Sequence, residues 1–235
     1  VTGDTHLVLE MKLENEESFI YAYGGGRCSD VSGNTNVELK GEGVHVYSVV
    51  GGGLVDEDEG AANVGKNTNI TISGGAWAGD TEVSSSQPDK IAVAGGGHIL
   101  SNDPSMIGTN SDIKTATTNV GGEVHITLNG ITGNLVDCIV GGCYDAGKSN
   151  AEKITGTTGP VKIDIDNCRF ESQFHRIFGG GYVAWGGNNR DIQVKGNVEI
   201  TVDHSTVQYL YGGGCGITAA LPLVTGDVNI TLTNS

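Results

Sequence analysis

Two short patterns of apolar and polar residues alternate along the chain. One is strict alternation, seen in Val37-Glu-Leu39, Ile70-Thr-Ile72, Val124-His-Ile-Thr-Leu128, Val161-Lys-Ile-Asp-Ile165, Val198-Glu-Ile-Thr-Val202 and Val228-Asn-Ile-Thr-Leu232, with a worn copy at Leu9-Glu-Met-Lys-Leu13. A period of two places Val198, Ile200 and Val202 on one face of a strand and Glu199 and Thr201 on the other. The second pattern is an apolar run closed by a glycine cluster. It reads Tyr21-Ala-Tyr-Gly-Gly-Gly26, Tyr47-Ser-Val-Val-Gly-Gly-Gly53, Ile91-Ala-Val-Ala-Gly-Gly-Gly97, Cys138-Ile-Val-Gly-Gly-Cys143, Arg176-Ile-Phe-Gly-Gly-Gly181 and Tyr209-Leu-Tyr-Gly-Gly-Gly214.

No single copy can bury its apolar face alone, so the copies must stack. The alternating strands start at 37, 70, 124, 161, 198 and 228, between 30 and 54 residues apart. A coil of about 25–30 residues with loops inserted in some turns accounts for that scatter. Equivalent strands then pair above and below in parallel, and the crossover rule makes the winding right-handed. The expectation is an all-β chain folded as one single-stranded right-handed parallel β-helix, a β-solenoid of about six degenerate coils spanning residues 1–235. The stacked glycines are expected to turn the chain sharply, some of them at positive φ. A phosphate-cradling role is not expected, because no helix is expected to follow any triplet.

The variable stretches are Leu54 to Lys66, His98 to Asn119, Tyr144 to Gly159, Tyr182 to Gly196 and, expected on the other side of the coil, Ser73 to Lys90. Unlike loops on a stable scaffold are where binding sites are built. Trp77 and Trp185 fall in such loops beside glycine, and Tyr144 and Tyr182 open two others. An exposed aromatic ring can stack on a sugar or anchor a protein, or it can cap the core where a loop folds back.

Composition sharpens this picture. Glycine accounts for 39 residues and proline for 4, without the every-third spacing of collagen. The formal charge of −15 excludes nucleic acid and anionic membrane as partners, since both require a basic face. Within the acidic run, Asp56, Asp58 and Glu59 offer oxygens to calcium, but the glycine-spaced EF-hand pattern is missing and a solvated loop explains the run equally well. Asp164, Asp166 and Asp203 form a similarly two-sided acidic edge. No other cofactor is indicated. The five cysteines have neither C-x-x-C spacing nor a histidine at ligand distance in sequence, and read as small buried side chains.

No catalytic residue is assigned. Only four arginines are present, and no Asn-Thr-Asp, Asp-Asp or Gly-His-Gly set appears. Asp203-His204 occupies a turn position matched by Asn167 and Asn129. The outward residues Glu38, Thr71, His125, Lys162, Glu199 and Asn229, read as one equivalent position, are too mixed for the threonine ladder of an ice-binding face.

The apolar-apolar-triglycine turn followed by Gly-x-Val-x-Ile-x-Ile resembles glycine-triplet β-helix segments of large surface proteins of Gram-positive gut bacteria, over nearly the whole chain from Leu7 onward. The resemblance implies a secreted or cell-surface location, flanking domains in a longer chain, and adhesion to a host glycan or a host protein such as immunoglobulin. The rival expectation is a polysaccharide lyase or glycoside hydrolase of the pectate-lyase-like fold, which needs carboxylates and a base facing one groove. A passive surface stalk is the third.

Overall fold

The computed structural model describes residues 1–10, 21–56, 59–79, 91–100, 114–133, 138–146, 153–170, 176–184, 189–216 and 221–235. Among these the protein is all-β, and every strand pairing is parallel. The chain visits its sheets in a fixed order and then returns to the first. A seven-stranded sheet holds Thr5–Leu9, Thr35–Lys40, Thr68–Ser73, Val124–Asn129, Val161–Asp166, Val198–Asp203 and Val228–Thr233, side by side in chain order. A six-stranded sheet ends at the glycine triplets, from Tyr21–Tyr23 to Tyr209–Tyr211. A four-stranded sheet follows the triplets, from Leu54–Val55 to Tyr182–Val183, and a five-stranded sheet precedes the return, from Glu59–Ala61 to Leu223–Val224. Helices are absent from the described residues.

The last two sheets lie inside the stretches that the sequence marks as loops. Ser73 to Lys90 likewise contains the strand Trp77–Ala78, paired with His45–Val46. The first copy of the alternating strand is Thr5–Leu9, with Leu7 against Val37 and Leu9 against Leu39, rather than Leu9 to Leu13. Register differs from the sequence reading in one further respect. Thr35 and Thr68 align with Val124, so Asn36 and Asn69 stand in the row of His125, Lys162, Glu199 and Asn229. Glu38 and Thr71 belong to the next row, with Thr127, Asp164, Thr201 and Thr231, where the two carboxylates interrupt the threonines. Thr35 and Thr68 are fully buried because each hydroxyl donates to a carbonyl of the facing triplet, that of Gly51 at 2.6 Å and of Gly95 at 2.7 Å. The methyl packs like the valine of later circuits and no polar atom is stranded.

The triplets are glycine for want of space, not for backbone freedom. None lies in the left-handed region, contrary to the expected positive φ. A Cβ on the first glycine would strike the seven-stranded sheet, as Gly141 would strike Val161 Cγ1 at 2.4 Å. One on the third would strike the five-stranded sheet, as Gly97 would strike Thr118 Cβ at 2.4 Å. One on the middle glycine would meet the neighbouring circuit, as Gly52 would meet Gly97 Cα at 2.8 Å. The wall therefore dents inward along a glycine ridge that touches both opposite sheets and divides the interior. One core lies between the seven- and six-stranded sheets, around Leu39, Ile72, Ile126, Ile139 and Val202. The other lies between the four- and five-stranded sheets, around Val55, Ile99, Ile154 and Val183. Where Cys143 replaces the third glycine, the facing residue is Gly156, and a Cβ there would lie 2.8 Å from that of Cys143. Five cysteines are free thiols, three buried and two half-buried.

Left-handed residues recur instead at the end of every strand of the seven-stranded sheet after the first. They are Gly41 (φ 102°), Gly74 (64°), Gly130 (67°), Asn167 (52°), His204 (45°) and Asn234 (52°). His204 thus holds a turn position, matched by Asn167 and by Gly130 rather than Asn129. His204→Val, which puts a β-branched residue at φ near +45°, is expected to lower stability by about 1–2 kcal/mol while His204→Asn is nearly neutral, read by urea denaturation. Side-chain ladders brace the return to the seven-stranded sheet. Asn67 donates its backbone N–H to Asn34 Oδ1 (3.2 Å), and Glu123 donates to Asn67 Oδ1 (2.9 Å).

Candidate functional site

On the outside of the glycine ridge, two walls of side chains face each other along the stack. One wall is the outward row Tyr23, Val50, Ala94, Val140, Phe178 and Tyr211 of the six-stranded sheet. The other is the row Arg27, Leu54, His98, Tyr144, Tyr182 and Cys215 beyond the triplets. The walls pack on each other as a third apolar cluster that includes Val50, Ala94, Val140, Phe178, Tyr144 and Tyr182. Rings follow one another along it. Tyr23 Oη lies 3.1 Å from His98 Nδ1, the His98 and Tyr144 centroids are 4.9 Å apart, and those of Tyr144 and Tyr182 are 5.6 Å apart. Phe178 meets Tyr182 edge-on at 5.5 Å and stacks on Tyr211 at 5.0 Å.

Tyr144 and Tyr182 therefore sit in strands, not loops, and are buried at 1% and 4% exposure. They pack between the walls and do not present their rings to solvent. Tyr21, Tyr209 and Tyr211 lie in the first and last circuits, where Val8, Val228, Ile230 and Leu232 are exposed as well. Trp77 lies away from these walls, half-buried against the first core and stacked on His45 at 3.4 Å between centroids. Trp185 is outside the described residues, directly after the wall strand that ends in Val183.

Chain length varies between circuits chiefly at two kinds of place, before the strands that lead into triplets (residues 80–90, 134–137, 171–175) and after those that leave them (101–113, 147–152, 185–188).

Of the residues read for calcium, Asp58 lies outside the described residues. Asp56 accepts from Arg27 Nε at 2.9 and 3.0 Å, and Glu59 is exposed at the start of a strand of the five-stranded sheet. Among the described residues, the group able to converge on one ion is Asp166, Asp203 and His204, whose ligand atoms lie within 4.8 Å of one another. Asp203 accepts from Thr233 Oγ1 (2.7 Å) and Asn234 Nδ2 (3.1 Å), and these bonds hold its carboxyl below the usual range. His204 Nδ1 stands 3.1 Å from Asp203 and 3.8 Å from Asp166. A cavity of about 430 Å³ beside them is lined by Arg169, Asn167, His204 and Ser205, without a carboxylate.

The outer face of the seven-stranded sheet carries a second polar group. Burial raises the Asp164 carboxyl, but hydrogen bonds from His125 and Lys162, each at 2.9 Å, outweigh it and hold the group low. His125 is the outward surface residue that alternation requires, and its ring serves this network.

No family model matches this chain, and no curated protein or solved structure is significantly similar to it.

Proposed function

We propose that the chain is a non-enzymatic binding module of a bacterial cell surface, adhesin-like, built on a right-handed parallel β-helix. It recognises a host glycan or a host protein such as immunoglobulin through loops on that scaffold. The observation that carries this reading is the pair of outward rows of aromatic and aliphatic side chains that face each other along the stack. Among the described residues, neither wall row bears a carboxylate. Sugar hydrolysis demands a pair of them, whereas amphipathic rings suit recognition. The fixed circuit of sheets supports the β-helix, and the crossover rule supports its hand.

A polysaccharide lyase or glycoside hydrolase of the pectate-lyase-like type is the second reading. Asp166, Asp203 and His204 with Arg169 nearby favour it, on the side of the stack that carries Trp77 rather than between the two walls. Binding to a glycan array and a panel of secretory proteins, with and without calcium, tests both. Saturable capture is expected, weakened about tenfold or more by Trp185→Ala or Trp77→Ala. Turnover of an acidic polysaccharide without capture establishes the enzyme instead, and silence in both assays establishes a stalk.

A further inference from the structure

On the outer face of the seven-stranded sheet, Lys40 pairs with Glu10 and Glu38, and Lys162 and His125 pair with Asp164. Asp166 and Asp203 are placed differently. They are partners in register at the ends of the adjacent strands Val161–Asp166 and Val198–Asp203. Strands in a sheet are about 4.8 Å apart, and like charges directly opposite each other repel. Among the described residues, neither carboxylate has a Lys or Arg partner. The group that meets both is the imidazole of His204, with Nδ1 3.1 Å from Asp203 Oδ2 and 3.8 Å from Asp166 Oδ1. The other oxygen of each carboxylate is already held. Asn167 Nδ2 donates to Asp166 Oδ2 at 3.0 Å, and Thr233 Oγ1 and Asn234 Nδ2 donate to Asp203 Oδ1 at 2.7 and 3.1 Å. Asp166 Oδ1, Asp203 Oδ2 and His204 Nδ1 are left to face one another, and the ligand atoms of the three residues lie within 4.8 Å of one another.

We propose that Asp166, Asp203 and His204 bind one divalent transition-metal ion, with zinc the best match. Bonds of about 2.1 Å in a tetrahedral set place neighbouring ligand atoms about 3.4 Å apart. That value falls between the 3.1 and 3.8 Å of the two contacts to Nδ1. The donor set argues for the class of ion. Imidazole nitrogen suits zinc and its neighbours, whereas calcium and magnesium take oxygen ligands. A pair of exposed carboxylates alone would not make that distinction. The ion cancels the repulsion between the two facing carboxylates, and the donors on their outer oxygens aim the inner ones, as partners behind metal ligands do. All three side chains are partly exposed, so a fourth position stays open to water or to an oxygen of a ligand. The site joins two successive circuits on a different sheet from the wall rows, and it stands whichever reading of the chain's function holds.

The test is titration of the whole metal-free chain with Co²⁺, whose visible spectrum reports its ligands, followed by displacement with Zn²⁺. One equivalent is expected to bind, and Zn²⁺ should raise the urea midpoint of the parent. Asp166→Asn and His204→Asn should each weaken binding about tenfold or more and abolish that rise. His204→Asn keeps the left-handed turn, so its metal-free stability should match the parent's and separate loss of a ligand from loss of fold. His125→Ala removes the other imidazole beside a carboxylate and should leave binding unchanged; loss of binding there overturns the assignment. Binding that survives both Asp166→Asn and His204→Asn marks an adventitious ion only and overturns the site. A thiolate-to-cobalt band in the near ultraviolet assigns the ion to a cysteine and overturns it too. Uptake of Ca²⁺ without Co²⁺ overturns the class of metal, and uptake of neither overturns the proposal.

Discussion

Gly95→Ala is expected to cost about 3 kcal/mol or more, a large part of the 5–15 kcal/mol that stabilises an ordinary domain. The added methyl would lie 2.2 Å from Val124 Cγ1 and 2.5 Å from the carbonyl oxygen of Gly141. Val124 is packed in the first core, and its side chain can adjust only by disturbing neighbours that are themselves buried. The Gly141 oxygen cannot yield at all without moving a circuit, because the turns are tied to each other by backbone hydrogen bonds such as Gly95 N–H to Val140 O (2.8 Å) and Gly96 N–H to Gly142 O (3.0 Å). Gly130→Ala is the control. Nothing stands within 4 Å of a Cβ there, so only the φ of 67° opposes it, at about 1–2 kcal/mol. Urea denaturation of the two variants separates the explanations. If both cost the same, backbone conformation rather than the inward ridge is why the triplets are glycine.

The chain itself contains a natural version of the experiment. Cys143 stands where the ridge wants glycine, and it fits because Gly156 opposite has given up its side chain. Such compensation between residues in different sheets is invisible to a reading that scans one pattern at a time. The seven- and six-stranded sheets were legible because each of their strands carries a long alternation or a triplet. The four- and five-stranded sheets were not. Leu54–Val55 and Tyr182–Val183 are two residues long, too short for a period to show, and Thr115–Thr117 has two threonines around one buried alanine. Those strands are held by the sheets that precede and follow them and need little sequence signal of their own. Register slipped at Thr35 and Thr68 for a related reason: threonine counts as polar until its hydroxyl is seen to donate to a triplet carbonyl.

The candidate site was legible only in part. Tyr144 and Tyr182 were marked as aromatic positions after a triplet, which is correct as to place, but alternation could not tell that the walls close over them. Tyr211 is exposed in the last circuit, while Val50, Ala94, Val140 and Phe178 of the same row are buried. Whether an outward row is floor or surface is decided by the dent in the wall, and the dent is a property of stacked glycines acting across three sheets.

Asp145→Val should destabilise the chain by about 3–5 kcal/mol even though it installs the kind of residue its row prefers. Asp145 points into the second core, where the equivalent positions hold Val55, Ile99 and Val183. Its carboxylate lies 3.2 Å from Arg190 Nε, and the two side chains are 0% and 1% exposed. Arg190 in turn stands in the row of Ala116 and Ile154 on the five-stranded sheet. Removing the carboxylate leaves the guanidinium buried without its nearest counter-charge, and that desolvated cation is what destabilises the fold. Arg190→Ile alone should cost a similar amount for the mirror-image reason. The double variant Asp145→Val/Arg190→Ile restores the apolar pairing of the neighbouring circuits, and its stability should return to within about 1 kcal/mol of the parent or exceed it. A double-mutant cycle by urea denaturation reads the coupling directly. Simple additivity of the two losses would mean that the pair is incidental and that each side chain is held by other contacts. The consequence reaches Tyr144, the residue before Asp145. Its ring lies between the walls on the opposite face of the same strand. Either single variant loosens that strand from within, whereas the double variant should recover its stability.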